Sequence, residues 1–72
     1  MKKIHTGNQP VSGNIARVIQ EKGFKQSAIA KRAGYSRQAF CNMVNDYKII
    51  RPDDVIRIAD ALEVKPGELF LQ

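Results

Sequence analysis

A chain of 72 residues, 43% of them hydrophobic and 26% charged, makes one domain with one modest core and is too short for an active-site cleft between domains. No apolar run reaches membrane-spanning length, and polar residues from His5 to Pro10 follow the basic Met1-Lys2-Lys3 where a secretory signal would carry its apolar stretch, so a cytoplasmic protein is expected. The net charge of +5 is uneven: nine Lys/Arg face only Glu21 and Asp46 through residue 50, whereas from Arg51 onward three basic residues face five acidic ones, which fits a polyanion-binding part beside an acidic part or simply an uneven solvated surface.

Residues 1–9, with Ile4 as their apolar anchor, read as a flexible arm, and residues 10–72 as the folded domain. Val11, Ile15, Val18 and Ile19 then recur at helical spacing, with Asn8 or Ser12 as N-cap and Gly23 as the stop. Phe24 carries apolar supply into the connection. A short second helix spans Gln26 to Ala33, turning Ile29, Ala30 and Ala33 inward before Gly34 ends it. Ser36 caps a third helix, about 36–45, that sets Phe40, Met43 and Val44 on one face and Arg37, Gln38, Cys41 and Asn42 on the other.

Asn45 to Arg51 is a loop that tucks one isoleucine, Ile49 or Ile50, into the core. Pro52 suits the first turn of a fourth helix, Asp53 and Asp54 complement its dipole, and Val55, Ile58, Ala59 and Leu62 give an i, i+3, i+4, i+7 stripe. Pro66 opens a short fifth helix in which Leu69 and Phe70 close the base of the core. No strand pairs or internal repeats appear. The pattern predicts an all-α, compact five-helix domain.

The segment from Gln26 to Met43 carries the functional information. Two short helices crossing steeply need a very small side chain at their contact, which Ala30 supplies, and a residue tolerant of positive φ in the turn, which Gly34 supplies. Apolar Ile29, Ala33, Tyr35, Phe40 and Met43 then fix the second of these helices and leave its polar face outward. Tyr35 and Phe40 are read as core residues.

Gln26, Ile29, Ala30, Ala33, Gly34, Tyr35, Ser36, Phe40 and Met43, followed by Ile58 to Val64, resemble the helix-turn-helix family that includes the lambdoid phage repressors, Cro proteins and XRE-type regulators. The resemblance runs from Asn14 to Phe70. Lys25 stands where that family has a Ser or Thr cap, Val44 where it often has Glu, and Asp46 where it often has Gly. The resemblance implies a lambda-repressor-like DNA-binding domain of bacterial or phage origin, a repressor that binds a pseudo-palindromic duplex operator as a homodimer.

On that resemblance Arg37, Gln38, Asn42 and Cys41 are expected to read bases. Arg suits the major-groove edge of guanine, Gln or Asn that of adenine, and a small side chain such as Cys41 the thymine methyl. Gln26, Ser36, Lys25, Lys48 and Asn45 are expected at phosphates, Gln26 with the help of its helix dipole. Lys31 and Arg32 are further cations on the second helix, and Leu69, Phe70, Leu71, Ile49 and Ile50 are candidate dimer contacts.

A solvated face is the alternative for each of the polar residues, and an antitoxin-like module that binds a partner protein is the alternative for the whole chain. No nucleophile with a base, phosphate-binding Gly-rich loop or metal cluster is present in the sequence, and Cys41 is the only cysteine, so neither an enzyme nor a cofactor or small-molecule ligand is expected.

Overall fold

Helix α1 (Val11–Lys22) forms where the spacing of Val11, Ile15 and Val18 lets one face be buried. The structure, a computed structural model, describes residues 8–71. Neither expected side-chain cap is used at the start of α1, where Pro10 occupies the capping position. Ser12 lies inside the first turn with its hydroxyl accepting from the Gln9 amide at 2.9 Å, and Asn8 lends the helix only its carbonyl, which accepts from Ser12 N–H at 2.9 Å. The predicted stop holds: Gly23 is left-handed at φ 72, and Phe24 N–H returns to the Ile19 carbonyl at 3.0 Å.

Helix α2 (Gln26–Ala33) and helix α3 (Arg37–Val44) make an elbow around Gly34, whose φ of 87 suits no other residue as well. Ala30 is buried at their crossing, and Tyr35 N–H reaches back to its carbonyl at 2.9 Å. Helix α4 (Pro52–Leu62) buries its Val55, Ile58, Ala59 and Leu62 stripe together with Ala61. It ends on Glu63 at φ 62, where glycine is usual. Glu63 and Val64 N–H close onto the Asp60 and Ala59 carbonyls at 3.1 and 3.0 Å, and the Lys22 ammonium adds contacts to Leu62 O at 3.0 Å and Glu63 O at 3.3 Å.

The expected fifth α-helix is a single stretch of 3-10 helix, Pro66–Phe70, so the domain has four α-helices among its described residues. Five residues that include Gly67 do not repay α-helical nucleation, and Glu68 N–H closes onto Lys65 O three residues back at 2.9 Å. Only Leu69 closes the base of the core, while Phe70 points outward at 54% exposure. The Asn14 amide ties this stretch to α1 by donating to the Leu69 and Leu71 carbonyls at 2.8 and 2.6 Å.

The core gathers Ile15, Ile29, Phe40, Met43, Ile58 and Leu62, all essentially inaccessible. Of the two isoleucines in the loop after α3, Ile50 is the buried one. Of the arm expected over residues 1–9, residues 1–7 lie outside the described residues, whereas Asn8 is packed into the domain at 1% exposure. Among the described residues no helix is long and apolar enough to cross a membrane.

Candidate nucleic-acid interface

Ser36, extended at φ −69 and ψ 157, accepts from the Ala39 N–H at 3.1 Å and so fixes where α3 begins. Because Phe40 and Met43 are locked in the core, the opposite face of α3 must face outward. Arg37 and Gln38 are exposed there, and Cys41 and Asn42 are partly exposed. The four residues expected to read bases therefore do share one surface.

Two of them are already joined. Gln38 Nε2 donates to Asn42 Oδ1 at 3.0 Å, which leaves Gln38 with its acceptor and one donor and leaves Asn42 with its donors and one lone pair. Asn45 closes the same helix, its amide donating to Cys41 O at 3.0 Å and approaching Cys41 Sγ at 3.2 Å.

A cleft of about 380 Å³ between the starts of α2 and α3 is lined by Lys25, Gln26, Ser27, Arg37 and Cys41. It brings four of the candidates, Lys25, Gln26, Arg37 and Cys41, to one place, two of them cations, with no carboxylate in its lining. Lys25 takes the N-cap position of α2 in extended conformation without a side-chain cap, so its side chain does not meet the first-turn N–H groups of α2. Lys48 is not part of this cleft. It stands beyond the other end of α3, lining a second cleft of about 480 Å³ with Tyr47, Ile49, Arg51 and the carboxylate of Asp54.

Of the two further cations on α2, Lys31 is exposed, and Arg32 is paired with Glu63 at 3.0 Å.

The loop carrying Lys48 departs from the family pattern in a way the backbone explains. Asp46 is left-handed at φ 66, the conformation for which glycine is the ordinary choice, and the Asn/Asp pair are the next best tolerated there. Asn42 O accepts from Tyr47 N–H at 2.7 Å and Lys48 N–H at 3.1 Å. Asp46 Oδ2 accepts from the Gln9 amide at 3.2 Å, while its Oδ1 is buried without a partner among the described residues.

Behind the elbow, Tyr35 joins the turn to α4. Its hydroxyl donates to Asp54, the Arg57 guanidinium lies 4.7 Å from its ring centre, and the Phe40 ring stacks 6.4 Å away. Burial, followed by the hydrogen bond to Asp54 and that carboxylate's charge, pushes the Tyr35 hydroxyl up to about 12. Burial works to raise Asp54 as well, but the bonds from Tyr35 and Arg51 N–H, with the Arg57 and Lys48 charges, outweigh it and hold the carboxyl below its ordinary value. Arg51 N–H donates to Asp54 at 2.9 Å, the helix-start role expected of an acidic residue there.

Sequence reasoning placed Tyr35 in the core, whereas it is partly buried against the core's edge, and it missed the bond to Asp54, because nothing in a linear pattern pairs residues nineteen apart. It missed the burial of Asn8 for the same reason.

A profile described as the Cro/C1-type HTH DNA-binding domain matches residues 14–71. Comparison with curated protein sequences gives no match. Among solved structures the fold is similar to the restriction-modification controller protein C.AhdI from Aeromonas hydrophila, with 22% identity and a TM-score of 0.78 over 83% of this chain and 91% of that one. It is also similar to a hypothetical transcription factor, NHTF, from Neisseria, with 20% identity and a TM-score of 0.82 over 99% and 82% of the two chains. The SOS-response transcriptional repressor LexA from Eubacterium rectale matches at 26% identity and a TM-score of 0.77 over 92% of this chain and 70% of that one.

Proposed function

The chain belongs to the Cro/C1-type helix-turn-helix DNA-binding family, and from that premise we propose that it is a transcriptional regulator of the repressor type, gripping a pseudo-palindromic operator as a dimer with α3 in the major groove. The observation that carries this reading is the outward polar face of α3, with Arg37, Gln38 and Asn42 raised on an elbow whose other side is the buried core. A helix that presents such a polar face suits the major groove of duplex DNA.

Each residue then has a role. Gln38, with its acceptor and one donor free, suits adenine, whereas Asn42, whose oxygen already accepts one bond, offers its donors to the acceptors of guanine or thymine. Arg37 at the helix start takes guanine or the adjoining phosphate, and Cys41 contributes a small apolar contact. The cleft lined by Lys25, Gln26 and Arg37, with Ser36 beside it, receives one phosphate against the dipole of α2. Lys48 and Asn45 take a phosphate beyond the other end of α3.

Dimerisation would use exposed apolar residues. Ile49, Phe70 and Leu71 remain available, and Ile56 at 58% exposure joins them, whereas Ile50 and Leu69 belong to the core. One domain of this size grips few bases, and pairing multiplies affinity through effective concentration. The repressor role is supported by analogy with LexA, itself a repressor by name.

Selection of bound duplexes from a random pool, repeated with Arg37→Ala and Gln38→Ala, tests the reading. Loss of preference at single positions is expected. Uniform weakening at every position would reassign both residues to the phosphate backbone.

A further inference from the structure

Asn8 is buried to 1% exposure, and an amide in that state is tolerated only when its donors and acceptor are met. They are met by one segment alone. Its Oδ1 accepts from Ile50 N–H at 2.8 Å, and its Nδ2 donates to Lys48 O at 2.7 Å and to Met43 O at 3.4 Å. These partners are the last turn of α3 and both sides of the loop that carries Lys48.

The first half of the loop has restraints of its own, with Asp46 N–H donating to Met43 O and Asp46 Oδ2 accepting from the Gln9 amide, both at 3.2 Å. Asn42 O holds the Tyr47 and Lys48 amides, Ile50 anchors the exit, and Asp46 between them occupies a left-handed conformation. Without Asn8, the Ile50 N–H and the Lys48 carbonyl lose the partner that holds them together, and the half of the loop that carries Lys48 loses its side-chain tie to the domain.

We propose that Asn8 is a positioning residue for DNA binding: its buried amide fixes the 45–50 loop in the shape that presents Lys48 to the phosphate beyond the C-terminal end of α3. The inference rests on the DNA-binding reading above. It makes a residue that touches no DNA a determinant of the electrostatic part of affinity.

The test compares the wild-type protein with Lys48→Ala, Asn8→Ala and the double variant on the duplex recovered from the random pool, with affinities taken between 50 and 200 mM salt. Loss of one phosphate contact flattens the slope of log K against log salt by ~0.9, so the drop in affinity over this fourfold range becomes about 3.5-fold smaller. Lys48→Ala and Asn8→Ala are each expected to show that flattening, and the double variant no more than either. Val64→Ala, which trims a partly buried residue far from the loop in sequence, serves as the control for lost stability and should keep the wild-type slope. Should Asn8→Ala not fold, Asn8→Ser carries the same comparison, since one short hydroxyl replaces an amide that spans two partners.

The inference is overturned if Lys48→Ala flattens the slope while the Asn8 variants lose stability and keep it, or if Lys48→Ala itself has no effect. Failure of the wild-type protein to bind any duplex would instead remove the DNA-binding reading.

Discussion

Tyr35→Phe isolates one atom of the bracket behind the elbow. The ring, its stack on Phe40 and its contact with Arg57 at 4.7 Å all survive, and only the hydroxyl that donates to Asp54 is lost. A hydrogen bond to a charged group contributes ~1.5–3 kcal/mol, and because both partners are only partly buried, water recovers some of it, leaving about 1–2 kcal/mol. With a urea m-value of about 1 kcal/mol/M for a domain of this size, the denaturation midpoint should fall by about 1–2 M.

The pH profile gives the sign. The hydroxyl is raised from 10.0 to about 12 in the folded protein, so below pH 10 neither state has ionised it and its contribution is complete. Between 10 and 12 the unfolded chain releases this proton before the folded one does, and stability drains away with rising pH. Asp54 is displaced the other way, below 3.8, so its contribution is complete above that value and vanishes as pH falls through the folded-state value. The gap between wild type and Tyr35→Phe should therefore be widest at intermediate pH and narrow at both extremes, while lysine ionisation, common to the two proteins, cancels. Urea titrations followed by far-ultraviolet circular dichroism measure it. A gap below about 0.3 M at neutral pH, or one that persists unchanged to pH 12, would refute the coupling.

Asp46→Gly should stabilise the domain by about 0.5–1 kcal/mol, since it relieves a left-handed aspartate and removes a buried oxygen without a partner, and the melting temperature should rise by roughly 2–8 °C in calorimetry. Ala30→Leu forces bulk into the α2–α3 crossing and should cost about 1–3 kcal/mol, read from the urea midpoint, with DNA affinity falling alongside as the polar ridge is displaced. Lengthening the spacer between operator half-sites by about half a helical turn, roughly 5 base pairs, should weaken binding a hundredfold or more in a mobility-shift titration if the protein binds as a dimer. Unchanged affinity there would point to independent monomers.

The elements most legible in the sequence are those whose cause is local. Gly23 and Gly34 announce left-handed stops because glycine is the residue that adopts them freely, and the stripe from Val55 to Leu62 marks α4 because burial repeats with the helical period. The outward grouping of Arg37, Gln38, Cys41 and Asn42 was equally readable, following from the burial of Phe40 and Met43 on the same helix.

What escaped has a tertiary cause. Glu63 ends α4 in a left-handed conformation without a glycine, and the Leu62 carbonyl there accepts from Lys22, forty residues away, a contact no local pattern announces. Asn8 looks like part of a polar arm until the loop 42 positions later supplies the N–H that its oxygen accepts. The segment from Pro66 to Phe70 carries helix-start signals, yet it is too short to propagate beyond i→i+3 bonding.

The hydrogen bond from the Gln38 amide to Asn42 Oδ1 couples two of the side chains proposed to read bases, with a consequence for how that face would change over time or in the laboratory. Two side chains that share a proton donor form a compound letter, so exchanging one alters what its neighbour can offer. Base preferences at the two corresponding operator positions should then covary as a dinucleotide. Retargeting this helix would call for libraries that randomise both codons together, because single-site variants pass through a partner left facing the wrong edge.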